Sequence, residues 1–116
     1  MNFENAYVRW KALDVLGHLI HACEHSDDIS EISRLNFEYN GVSEELYGDH
    51  RKNQHPTGLD LVRDCAIGYF QLKSQEGLED ADNKETAYAS LERAKSLYME
   101  ELLRDDRFLY ECFGGV

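Results

Sequence analysis

The sequence predicts an all-α fold, a single-domain bundle of four to five helices over residues 1–116 with one long polar loop at about 48–58. Three observations carry that expectation. Apolar residues recur at threes and fours along most of the chain, no alternating pattern of useful length competes, and capping or stopping residues divide the pattern into pieces of helical length.

The first helix is expected from Phe3 to about His25, with Phe3, Ala6, Trp10, Leu13, Leu16, Ile20 and Cys23 on one stripe and Ala12, Val15 and Leu19 widening it. Ser26, Asp27 and Asp28 offer N-caps for a second helix carrying Ile29, Ile32, Leu35, Phe37 and Tyr39. Asn40-Gly41 would stop that helix through a left-handed C-cap, and Ser43 to Tyr47 would add one more turn. Gly48 to Gly58 hold the only proline and almost no apolar side chain, which reads as the long loop. A third helix carries Leu59, Val62, Ala66 and Tyr69 on one stripe and Leu61, Cys65 and Leu72 on another, so it is expected to be the most buried. An acidic connection containing Gly77 leads to a fourth helix starting near Asp82 or Asn83, with Ala87, Leu91, Ala94, Tyr98 and Leu102 inside. Asp105-Asp106 would cap a short last helix through Phe113. The expected core is Leu13, Leu16, Ile20, Leu59, Val62, Leu91, Ala94 and Tyr98.

Composition supports a folded body. Hydrophobic residues make up 42% and aromatics 11%, whereas disorder goes with few aromatics and low hydrophobicity. At 116 residues, roughly two thirds of the unfolded surface can be buried without disulfides or metals. Against 12 Lys and Arg stand 23 Asp and Glu, a net charge of −11 divided almost evenly between the halves of the chain. The acidity therefore belongs to folded surface, not to a tail. Phosphate contact needs clustered Lys and Arg, so this balance argues against direct binding to nucleic acid or to an anionic membrane and points to a protein partner, a basic one. No stretch approaches the ~20 apolar residues of a membrane span. Cys23, Cys65 and Cys112 form no CxxC pair and all lie in apolar stretches, and the first residues lack the pattern of a signal peptide. Reduced, mostly buried thiols and a cytoplasmic location are expected.

Four constellations bear on chemistry. His18, His21 and His25 share one side of the first helix beside Glu24, the spacing at which imidazoles converge on a divalent ion, although no His-Glu-x-x-His and no second ligand pair accompany them. A solvated polar face is the plainer reading, and no metal or other cofactor is expected. Within the long loop, Arg51 and Lys52 stand between His50 and His55. Cys23 lies between His21 and His25 in sequence, but nothing fixes a nucleophile, base and acid together. The acidic run Glu76, Glu79, Asp80, Asp82, Glu85 and Glu92 is the densest in the chain and either imitates a line of phosphates or solubilises the surface; interspersed Lys84, Arg93 and Lys95 suggest ordinary i,i+4 pairing.

The expectation is a small acidic module that binds a basic protein, as an immunity protein meets a toxin or an inhibitor meets a nuclease, and not an enzyme. The alternatives are a self-associating structural bundle, favoured if Tyr7, Trp10, Tyr88 and Tyr110 are exposed, and a metal-dependent enzyme built on the histidine face. The oligomeric state stays open, a homodimer included.

Overall fold

The computed structural model describes residues 3–47 and 58–112. They form four α-helices and, among the described residues, no strand: α1 (Phe3–His25), α2 (Ile29–Tyr47), α3 (Gly58–Glu76) and α4 (Ala81–Cys112). The long polar loop, with His50, Arg51, Lys52 and His55, lies outside the described residues.

Capping chemistry sets two of the boundaries. The Asp28 carboxylate accepts from the Ser30 amide at 2.9 Å and starts α2, satisfying a donor that has no partner within the helix. Gly77 ends α3 at φ 73°, a left-handed conformation that side chains with a Cβ disfavour. The Asn83 amide then donates to the carbonyls of Leu72 and Gly77, tying the end of α3 to the start of α4.

Two expected interruptions are absent. Gly41 is an ordinary helical residue inside α2, because Ser43 is buried and Val42 half-buried, so the inward face continues past it. Asp105 and Asp106 likewise start no new helix, since α4 runs unbroken to Cys112. Both are residues that favour a cap without compelling one.

α3 is, as expected, the least exposed helix, with only Asp64, Gln71, Ser74 and Gln75 exposed among its described side chains. α1 packs against all three others. Its inward stripe is Val8, Ala12, Leu13, Leu16, Leu19, Ile20 and Cys23. Trp10, expected on that stripe, points outward and is 63% exposed. α3 and α4 make the most extensive pairing. Small residues explain it: Ala66, Ala87 and Ala94 are fully buried there, and Ser90 on α4 donates to the Cys65 carbonyl on α3 at 2.7 Å. Of the expected core, Leu13, Leu16, Ile20, Leu59, Val62, Leu91 and Ala94 are buried. Tyr98 is half-buried because its hydroxyl reaches across to the Leu13 carbonyl at 2.8 Å, over Gly17, where an added Cβ would sit 2.7 Å from that oxygen.

Lys73 on α3 ties down the end of α1 and the connection that follows it. Its ammonium donates to the carbonyls of Cys23 (2.9 Å) and Ser26 (3.1 Å), covering the C-terminal end of α1, and it faces Asp27 at 3.5 Å. The same group stands over the rings of Tyr69 and Phe70 at 5.5 and 5.4 Å. A cation is suited to both tasks, since the last carbonyls of a helix and an aromatic face are each electron-rich.

Candidate functional site

The acidic run spans the α3–α4 junction and climbs α4. Asp80 is partly structural, because its Oδ1 accepts from the amides of Asp82 (2.8 Å) and Asn83 (3.1 Å) and so caps the helix. Asp82 occupies the first helical turn, where a negative charge meets the positive end of the helix dipole. Glu79, Asp82, Glu85 and Glu92 are all exposed. At 100° per residue, Asp82, Glu85 and Glu92 fall within about 80° of arc, one outward face. The side chain of Glu76 lies outside the described residues.

The expected local pairing of this face is not what forms. Lys95 reaches α1, where it holds both oxygens of Glu24 at 2.7 and 3.1 Å, and Lys84 and Arg93 make no ion pair among the described residues. Glu79, Asp82, Glu85 and Glu92 also have no ion-pair partner among them. The bridge to Lys95 holds the Glu24 carboxyl below its ordinary range, against the opposing effect of partial burial. The same helix also exposes apolar side chains, Tyr88 between Glu85 and Glu92, and Met99 and Leu103 farther along.

The histidine face divides in two. His18 turns back one helical turn to Asp14, with Nε2 3.6 Å from Oδ1, while the rings of His21 and His25 stand 4.6 Å apart, inclined at 50°. Among the described residues no group of three or more His, Cys, Asp or Glu side chains converges as a metal-binding set. Cys23 sits buried on the opposite side of α1, and burial pushes its thiol up to about 12, the reverse of what a nucleophile needs.

A polar seam between α2 and α3 was missed by periodicity. The Tyr39 hydroxyl donates to Asp60 Oδ1 at 2.7 Å, both residues buried, and Arg63 donates to the side-chain oxygens of Asn40 (2.7 Å) and Asn36 (3.3 Å) while covering the Tyr39 ring. Burial, and then the neighbouring carboxylate, raises the Tyr39 phenol above its usual range. A second buried carboxylate, Glu101 on α4, accepts from Arg9 on α1 at 2.7 Å. No described buried side-chain polar atom lacks a partner, so these groups fix the register of the helices. The signal in the sequence was Asp60 and Glu101 standing on otherwise apolar inward stripes.

Two grooves flank α2. One, of about 330 Å³ between α2 and α3, is lined by Ile29, Ile32, Ser33, Asn36, Ile67, Phe70, Gln71, Ser74 and Gln75, without a charged residue. The other, of about 420 Å³ between α1 and α2, is edged by Lys11, Asp14, Glu38 and Glu45. Among the described residues no helix is long and apolar enough to cross a membrane.

No protein-family model matches the chain, and no curated protein and no solved structure is similar to it.

Proposed function

We propose that this protein is a small acidic binding module of the cytoplasm whose α4 face docks on a basic protein, in the manner of an inhibitor or immunity-type protein that neutralises a nuclease, a toxin or another nucleic-acid-binding protein. The observation that carries the reading is the run Glu79, Asp82, Glu85 and Glu92, exposed and without ion-pair partners among the described residues. Carboxylates already paired within the molecule would offer a partner little field. Unpaired ones on a body of net charge −11 attract a cationic surface over a Debye length of about 8 Å at physiological salt. Tyr88, Met99 and Leu103 on the same helix supply apolar contact area, which sustains a complex once charge has brought it together.

The test is capture of partners from the native host by the wild-type chain and by a variant with Glu79, Asp82, Glu85 and Glu92 all changed to Gln, followed by association kinetics with the captured protein. The reading requires a basic protein whose association slows steeply with salt and with the substitutions, its dissociation changing much less. A partner indifferent to both would reduce the acidity to solubility.

A second reading, self-association, is favoured by the outward position of Tyr7, Trp10 and Tyr88. Salt separates the two readings. Two copies of a −11 chain repel each other, so a homodimer strengthens as salt rises, whereas a complex with a basic partner weakens.

A further inference from the structure

We propose that His21 and His25 form a two-imidazole site for a divalent transition ion, Cu2+ ahead of Ni2+ and Zn2+. The two residues stand one turn apart on α1, both exposed, with ring centres 4.6 Å apart and planes inclined at 50°. With metal–nitrogen bonds of about 2.1 Å and a ring centre roughly 1.1 Å beyond each nitrogen, two imidazoles at a right angle on one ion have centres roughly 4.5 Å apart. A tetrahedral angle widens that distance to roughly 5.2 Å. A separation of 4.6 Å therefore lies where both rings can meet one ion, and the one-turn spacing lets small rotations of the exposed side chains aim a nitrogen of each at it.

The surroundings supply a third group. Nε2 of His25 faces Glu24 Oε1 at 3.3 Å, and Lys95 anchors that carboxylate from α4. A carboxylate beside one ring nitrogen is the usual outer partner of a metal-bound imidazole, and Glu24 is near enough to His25 Nε2 to take that part once the ion is bound. Glu24 is thus a positioning residue and not a ligand, and His18, turned toward Asp14, takes no part. Water fills the remaining coordination positions, so the site is open and of modest affinity. This inference is independent of the acidic face of α4.

The experiment is calorimetric and visible-absorbance titration of the chelator-stripped full chain with Cu2+, Ni2+ and Zn2+ in a non-coordinating buffer, repeated on His21→Ala, His25→Ala and His18→Ala. All three positions are exposed, and circular dichroism checks that each variant keeps its helices. The expected result is one equivalent of Cu2+ with a d–d band, affinity greater for Cu2+ than for Ni2+ or Zn2+, a loss of tenfold or more on removing His21 or His25, and none on removing His18. Equal losses at all three histidines, or several equivalents bound, would mean scattered surface imidazoles and overturn the proposal. So would Zn2+ binding more tightly than Cu2+, since a pair of imidazoles binds Cu2+ tightest.

Discussion

Changing Tyr39 to Phe removes one oxygen atom from the middle of the molecule and tests the α2–α3 seam directly. The hydroxyl donates to the Asp60 carboxylate at 2.7 Å, Tyr39 is fully buried and Asp60 is 4% exposed, so no bulk water can take the vacated place. A hydrogen bond to a charged acceptor contributes about 1.5–3 kcal/mol. The aromatic ring keeps its packing, so the void is small and the expected loss is about 2 kcal/mol. With a urea m-value of about 1.5 kcal/mol/M, the unfolding midpoint should fall by about 1.3 M at unchanged m. A double-mutant cycle with Asp60→Asn isolates the pair, and the coupling should be at least about 1 kcal/mol. A loss below about 0.5 kcal/mol, or additive losses in the cycle, would refute the assignment of this bond as the fastener of α2 to α3.

Two further outcomes follow from groups already described. Replacing Lys73 with Met keeps the alkyl stem against Tyr69 and Phe70 but uncaps α1, so stability should fall by about 1–3 kcal/mol. Amide exchange should quicken around residues 23–27 and not at the start of α4. For Glu24, whose carboxyl is held below its ordinary value by Lys95, the stabilisation is whole above about pH 4.3 and drains as pH falls through the lowered folded value. Glu24→Gln should therefore flatten the acid limb of a stability–pH curve measured by urea unfolding. An unchanged limb would show that the bridge contributes nothing.

The helices were legible in the sequence because burial on one side imposes a period, and that period survives even where individual residues break it. Leu13, Leu16, Ile20, Leu59, Val62, Leu91 and Ala94 follow it and are buried. Trp10 shows the limit of the method: it lies only about 60° of arc from Leu13, and an arc alone does not say where the neighbouring helix ends. Asn40-Gly41 and Asp105-Asp106 were misleading for another reason. A capping residue acts only where tertiary contacts have already ceased, and at both places the helix continues. For the candidate site, the positions and exposure of the acids were readable, but their pairing was not. Lys95 chose Glu24, seventy-one positions away in sequence, over Glu92 on its own helix. Spacing also grouped His18 with His21 and His25, and only side-chain orientation separated them.

The way α2 is attached bears on how the molecule opens. Among its described side chains α2 contributes only Ile32, Leu35, Tyr39 and Ser43 to the buried set, and on the α3 side its bonds are directional ones through Tyr39, Asn36 and Asn40. Directional bonds fail together once their geometry is lost, whereas apolar contacts yield gradually. The cheapest sub-global excursion of this protein is therefore the release of α2 as a cooperative unit, leaving α1, α3 and α4 as a three-helix remnant. In that transient state the uncharged wall of Ile67 and Phe70 is bared to solvent, so α2 serves as the built-in shield of an apolar surface that would otherwise invite association.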